Sequence, residues 1–248
     1  MKIAVPVKYT PDTETKVKIG ADGKSINPDG VSFVMNPYDE FALEEALKIK
    51  EAGEAEVTVF TIGDDESAKA LKTGMAMGAD KAVLIKTATP ADSLQTAGLL
   101  ANALKDGGWD IILMGMKAVD SDSGAVGPMT AELLGLPCVT MITKLEISGG
   151  KAVARREAEI GMEVIETSLP AVFTAQKGLN EPRYASLKGI MRAKKQPIDE
   201  ITSGDAAVGT VVIEMRYPPE RPAGKIVGEG VEAVPELVKL LKEEAKVL

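Results

Sequence analysis

Residues 118–129 read Ala-Val-Asp-Ser-Asp-Ser-Gly-Ala-Val-Gly-Pro-Met, crowding hydroxyls, carboxylates and glycines ahead of a helix-permissive run. Ser121, Ser123, Gly124 and Gly127 are small enough to bring backbone amides against an anion, and a helix after them would aim its positive end at the same point. That is chemistry for cradling a phosphate. It is neither a Walker loop, since no Lys follows in the required place, nor the dinucleotide fingerprint, and spacing alone fits a plain surface turn as well. Asp120 and Asp122 add two carboxylates, which suit a magnesium ion or the capping of loop amides. Capping is the expectation, with no metal, because a nucleotide that is never cleaved has no need of one.

A second block of interest runs from 179 to 195. It opens polar and turn-prone, passes through Tyr184 and Leu187, and ends in Arg192, Lys194 and Lys195. Pro182 keeps Glu181 out of the helical region, while Leu187, Ile190 and Met191 are spaced to share one face of a short helix. An apolar knob ringed by positive charge suits docking to another protein, the knob supplying buried area and the charges steering. The alternative is a helix whose apolar stripe faces its own core and whose lysines are merely solvated.

Composition narrows the rest. The chain has no histidine, which removes the commonest general base, the usual metal ligand and the Ser-His and Cys-His nucleophile pairs together. A net charge of -8 argues against nucleic-acid binding. The single cysteine, Cys138, has no internal disulfide partner and reads as a buried strand thiol. No apolar run reaches the length of a membrane span and no leader is evident at the start, so membrane insertion and secretion are not expected and a cytoplasmic location is. With 248 residues, 45% of them hydrophobic, the chain can bury a full core.

The elements that must position these blocks alternate between apolar runs and helical periodicity, the pattern of a doubly wound, mostly parallel α/β sheet with helices on both faces. Strands are expected at 2–7, 57–62, 83–85 and 110–114, and helices at 67–77, 93–104 and 129–134. Asn36 would cap a helix with Pro37 at its first position, a buried stripe at Phe41, Ala42, Leu43, Ala46, Leu47 and Ile49, and a stop at Gly53. Residues 16–26 alternate about Asp22-Gly23 and predict a hairpin. Beyond Pro137, runs at 139–147, 151–158 and 163–168 read as an antiparallel meander, and 171–175 as a return to the sheet. After about residue 196 come a strand at 210–215, a Pro-rich stretch at 218–222 and a helix opened by Pro235. That tail is too small to hold a core alone. The division expected is a nucleotide-binding domain at 1–198 and, at 199–248, an arm that packs on a partner.

In open parallel sheets ligands lie beyond the carboxyl ends of the strands, so Pro6 and Val7, Gly63 and its neighbours, and residues 115–128 should converge on one crevice.

Asn180-Glu181-Pro182-Arg183-Tyr184-Ala185, with Met191 and Ala193-Lys194-Lys195 behind it, resembles the recognition loop of the electron transfer flavoprotein beta subunits. The likeness continues at Val7-Lys8, Met35-Asn36-Pro37, Glu44-Glu45-Ala46, Ala76-Met77-Gly78-Ala79-Asp80, Ala118-Val119-Asp120 with Asp122, and Pro218-Pro219. The resemblance implies a beta subunit paired with an alpha subunit in a heterodimer. Such a dimer is an electron carrier, not an enzyme of bond chemistry, moving electrons from acyl-CoA and related dehydrogenases to a membrane quinone reductase. It implies a redox FAD held mainly by alpha with beta as one wall, and a structural AMP buried in beta. Carried over by position, the AMP contacts would be Pro6, Asn36, Pro37, Tyr38, Asp39, Ile62, Ala118, Val119, Asp120, Ser121, Asp122, Ser123, Gly124, Ala125, Val126, Gly127, Pro128 and Met129, with Gly63 beside them in the crevice. The docking set would be Glu181, Arg183, Tyr184, Leu187, Ile190, Met191, Arg192, Lys194 and Lys195, with Leu187 as the anchor.

Two departures from the mitochondrial type stand out: Thr13 replaces a tyrosine beside the flavin, and Val126-Gly127-Pro128 replaces polar residues before the loop glycine. Both resemble electron-bifurcating relatives, in which the AMP pocket holds a second FAD and NADH is oxidised. Asn36-Pro37-Tyr38-Asp39-Glu40 and the intact docking block resemble the AMP-type carrier, which is the preferred expectation. A lone nucleotide-binding module of the stress-protein kind would share the sheet but lack that block.

Overall fold

The computed structural model describes every residue except 88, 89, 91, 221 and 222. Its main sheet has nine strands, which in chain order are β1 (Lys2–Pro6), β4 (Glu56–Gly63), β5 (Lys81–Lys86), β6 (Ile111–Gly115), β7 (Cys138–Ser148), β8 (Lys151–Ala158), β9 (Gly161–Ser168), β10 (Ala171–Ala175) and β11 (Asp199–Ile201). Two short strands, β2 (Tyr9–Pro11) and β3 (Phe33–Met35), form a separate antiparallel ribbon. The helices are α1 (Pro37–Ala52), α2 (Ala68–Met77), α3 (Ser93–Leu104), α4 (Val126–Leu134), α5 (Leu187–Lys195) and α6 (Val234–Glu243).

Across the sheet the order is β11-β5-β4-β1-β6-β10-β7-β8-β9. Pairing is parallel from β11 to β7 and antiparallel through β8 and β9. Period-2 alternation sends successive side chains to opposite faces. Ile3 and Val5, Val57 and Val59, and Ile111 and Leu113 therefore meet Leu43 and Leu47 of α1 and Leu71 and Met75 of α2. Ala4, Phe60, Ile85 and Ile112 meet Leu100 and Leu104 of α3 and Ala131 of α4 on the other face. The doubly wound expectation is borne out, as is the meander at β7–β9 with the return of β10 between β6 and β7.

Some local expectations are corrected. Residues 16–26 make no hairpin ladder, only an isolated bridge between Ile19 and Ile26; the Asp22 carboxylate accepts from the amides of Lys24 and Ser25 and closes the turn locally. Asn36 precedes α1 without capping it, because its side chain is engaged elsewhere. Residues 210–215 form no strand, while β11 joins the edge of the sheet beside β5. Helix α4 starts three residues before the expected Met129, since Pro128 falls in the first turn, where no intrahelical N–H is required. The last part of the 218–222 stretch lies outside the described residues.

The chain divides into two compact units, 1–214 and 215–248. The first contains both sheets. The second holds a 3₁₀ turn (Val231–Ala233) and α6, in which no residue is buried. Pro235 sits in the first turn of α6, as read from the sequence.

Candidate functional site

Beyond the carboxyl ends of β1, β4 and β6 lies a cavity of about 240 Å³. Topology puts it there: β1 sits between β4 and β6, and the chain leaves β4 and β1 toward α1 and α2 on one face but leaves β5 and β6 toward α3 and α4 on the other. The crevice opens where the helices diverge.

Its floor is fastened by the first turn of α1. The Asp39 carboxylate is buried and accepts from the Lys8 amide at 2.7 Å and the Gly115 amide at 3.1 Å, tying the ends of β1 and β6 to one helix. Gly115 is required there, because a Cβ at that position would run into Asp39 and Tyr38. Burial pushes the Asp39 carboxyl up to about 7, against the pull of the two amides and the Lys8 charge. Asn36, also buried, donates to the Lys117 carbonyl at 2.9 Å and accepts from the Val119 amide at 3.1 Å, so it holds the 117–119 loop. Asp120 and Asp122 do not cap amides as expected. Asp120 pairs with Lys8 at 2.6 Å and Asp122 with Lys117 at 2.6 Å, which raises the Lys117 pKa. The two lysines nearest the cavity are thus already neutralised.

Two helix N-termini, each the positive end of a helix dipole, also reach the cavity. Asp92 and Ser93 at the start of α3 and Ala125, Val126 and Gly127 at the start of α4 all line it. The two ends differ in one decisive respect. The Asp92 side chain caps α3 through the Gln95 amide at 2.8 Å, whereas Ala125, the residue before α4, gives that helix no side-chain cap. An uncapped helix end facing a cavity leaves first-turn amides for an incoming oxygen. The Ser93 and Ser123 hydroxyls meet at 3.1 Å and join the two ends. Opposite these polar groups, Pro6, Ile62, Leu100 and Met114 give the cavity apolar walls. The cavity thus joins apolar walls to a corner where an anionic oxygen could meet free helix amides.

Of the sequence-derived site residues, Pro6, Asn36, Asp39, Ile62, Ala118 and Ser121 line the cavity, as do Ser123, Gly124, Ala125, Val126 and Gly127. Pro37, Tyr38, Gly63, Val119, Asp120, Asp122, Pro128 and Met129 are not on the lining. Gly127 is small for packing as much as for an anion, since a Cβ would come within 2.5 Å of the Thr174 methyl, and Thr174 is held by accepting from the Met141 amide at 2.9 Å. Lys8, Thr61, Asp92, Ser93, Thr96, Leu100 and Met114 were not in the sequence-derived set. The Ser93 and Asp92 contribution had one sequence signal, an Asp-Ser pair opening a clean helical pattern at the end of a strand.

The docking block lies apart from the cavity. Residues 180–183 run along α1: Asn180 donates to the Phe41 carbonyl and to Glu45, and Arg183 binds Glu44 and Glu51. Helix α5 then crosses α2 so closely that a Cβ on Gly189 would strike the Ala76 carbonyl oxygen. Ala193 is buried on that inner side, and Arg192 donates to the Met75 carbonyl. The reading in which the apolar stripe faces its own core is overturned: Tyr184 is 99% and Leu187 78% exposed, with Ile190 and Met191 exposed beside them. Glu181, Lys194 and Lys195 are also exposed. Among the described residues no cluster of His, Cys, Asp and Glu could hold a metal ion, and no helix is long and apolar enough to cross a membrane.

The profile of the electron transfer flavoprotein domain matches residues 25–206. The electron transfer flavoprotein subunit beta of Bacillus subtilis (strain 168) is 46% identical over 259 residues, covering 100% of both chains. The subunit beta of Syntrophomonas wolfei is 43% identical, covering 100% of this chain and 98% of its own, and that of Bradyrhizobium diazoefficiens is 42% identical over 100% of both. With a profile spanning most of the sequence and relatives matching from end to end, the chain belongs to the electron transfer flavoprotein family, among its beta subunits.

Proposed function

We propose that this chain is the nucleotide-holding half of a heterodimeric electron carrier, with AMP as a structural occupant of the cavity and a redox FAD shared with the alpha subunit. The uncapped start of α4 facing the cavity carries the reading. Asn36 and Asp39 would fix the walls, Ser121 and Ser123 would supply hydroxyls, and the amides of Val126 and Gly127 would receive the phosphate. The FAD supplies the redox chemistry when bound. The chain's own residues bind, orient and exclude water, and they catalyse no bond change.

Leu187, with Tyr184, Ile190 and Met191, is the contact for an acyl-CoA or related dehydrogenase, and Lys194 and Lys195 steer the encounter. A membrane quinone reductase receives the electrons. Residues from 199 onward serve as an arm on the alpha subunit, and the dimer works in the cytoplasm. A second reading keeps the cavity but fills it with a second FAD in an NADH-oxidising, bifurcating complex. Val126 and Gly127, the positions that resemble bifurcating relatives, do line the cavity.

Ala125→Asp tests the phosphate placement without weakening the helix. An Asp at this position sets a negative charge beside the amides the phosphate would use, and negative charge at a helix N-terminus is stabilising. The nucleotide co-purifying with the dimer should fall about tenfold or more, the loss of roughly one charge-assisted hydrogen bond, while the melting temperature holds or rises. Full retention of nucleotide would place the phosphate elsewhere.

A further inference from the structure

The block that displays Leu187 is fastened at both ends, and the fastenings are unlike ordinary surface contacts. On one side, α1 spends two buried carboxylates on it. Glu44, 5% exposed, accepts from the Arg183 amide at 3.1 Å, from Nε at 2.8 Å and from Nη2 at 2.9 Å. Glu45, 6% exposed, accepts from Asn180 at 2.9 Å. Glu51, two turns further along α1, takes the remaining edge of the guanidinium. A buried carboxylate carries a large desolvation cost unless its lone pairs are satisfied, and here the segment that leads into the knob satisfies Glu44 and shares Glu45 with Lys48. On the other side, Gly189 lies against the Ala76 carbonyl, Lys72 donates to the carbonyls of Ala193 and Gln196, and Ser186 caps α5 through the Gly189 amide.

The two supports are themselves joined. Leu47 of α1 packs on Gly78 at the end of α2, and Lys50 donates to the Gly78 carbonyl and pairs with Asp80 at 2.5 Å. Residues 184–188 therefore span between points held on α1 and α2, with Tyr184, Leu187 and Lys188 exposed to solvent. An isolated exposed loop of this length would sample many conformations, and each would have to be frozen when a partner binds. The Arg183 fork removes much of that freedom in advance, because its planar donors are held along two edges at once by Glu44 and Glu51.

We infer that Glu44 and Arg183 are positioning residues for docking: their ion pair, backed by Glu51, pre-sets the Leu187 knob in the geometry a dehydrogenase receives. This rests on the reading of Leu187 as the docking contact. Arg183 is then not one of the steering charges, although it lies in the docking block. Its charge is consumed inside the chain, and its effect on docking passes through the position of Leu187.

The test uses the intact heterodimer as the electron acceptor of an acyl-CoA dehydrogenase reduced by its acyl-CoA substrate. Three variants are compared: Leu187→Ala, Arg183→Lys and Glu44→Gln. For Arg183→Lys and Glu44→Gln, the KM for the heterodimer should rise about tenfold, in keeping with an interface anchor that must now be ordered on binding, while kcat at saturation stays within about twofold of wild type. Amide hydrogen exchange at residues 184–188 should quicken in both, with exchange in α3 and α4 unchanged. Leu187→Ala should raise KM with no change in exchange of the segment. A raised KM for Leu187→Ala beside unaltered KM and exchange in the other two would overturn the positioning inference and leave the docking reading intact. An unaltered KM for Leu187→Ala would overturn both. Faster exchange throughout the chain would mean the ion pair is a general support of the fold, which also overturns the inference.

Discussion

Asp39 does the work of a joint. One carboxylate gathers the amides of Lys8 and Gly115, so the two strand ends that floor the cavity are held to the same helix turn. Its cost is burial, which carries the carboxyl from its ordinary 3.8 up to about 7. The sign of the linkage follows from proton counts: between those values the folded chain holds a proton that the unfolded chain has released, so stability falls as pH rises through the window. Its contribution is fully present below 3.8 and lost once pH passes about 7. In Asp39→Asn that slope should vanish. Urea midpoints of wild type and variant, measured at one subunit concentration across this range, should converge or cross as pH rises, and a difference independent of pH would show that Asp39 stays ionised throughout. Little of this was legible in sequence. Asn36 and Asp39 were placed at the site by resemblance, but their partners at Lys8, Gly115, Lys117 and Val119 are distant in the chain and only the parallel pairing of β1 with β6 brings them near.

At the scale of elements, the apolar runs that became β1, β4, β5 and β6 were readable because a central parallel strand is buried on both faces and carries its signal in every residue. Helix α3 was readable end to end as 93–104, though its cap, Asp92, was not read. Elements whose stability comes from elsewhere were not: β2, β3 and β11 are three residues each, and β11, Asp-Glu-Ile, has no strand pattern of its own. The opposite error occurred at 210–215, where a run of β-branched residues looks like a strand but has no ladder to join, and Val211, Val212 and Ile213 stay exposed. Helix α5 shows both cases. Spacing gave a short helix and its shared apolar face, while its inner side rests on Gly189 and Ala193, small residues that carry no hydrophobic signal. Its outer charges belong to kinetics. Replacing Lys194 and Lys195 together with Ala should lower the rate of association with the dehydrogenase and flatten its dependence on ionic strength, leaving the dissociation rate nearly unchanged. Stopped-flow traces at several salt concentrations measure this directly, and an unaltered salt slope would remove the two lysines from the encounter.

At the scale of the whole molecule, a chain without histidine and with no metal-capable cluster among its described residues has built a cavity, an uncapped helix end beside it and an exposed apolar knob. Those are the parts of a holder and presenter. The terminal unit, 215–248, leaves Val234, Leu237 and Val238 of α6 exposed along one amphipathic helix, in keeping with an arm that finds its cover on another subunit. On the proposed function, the cavity holds an adenine nucleotide within a flavin-bearing dimer. Denaturing the purified heterodimer, separating the released small molecules and counting them per dimer measures it most directly. One FAD and one AMP per dimer are expected. Two FAD and no AMP would replace the carrier with the bifurcating reading, and a dimer that releases no adenine compound beyond one FAD would contradict the claim itself.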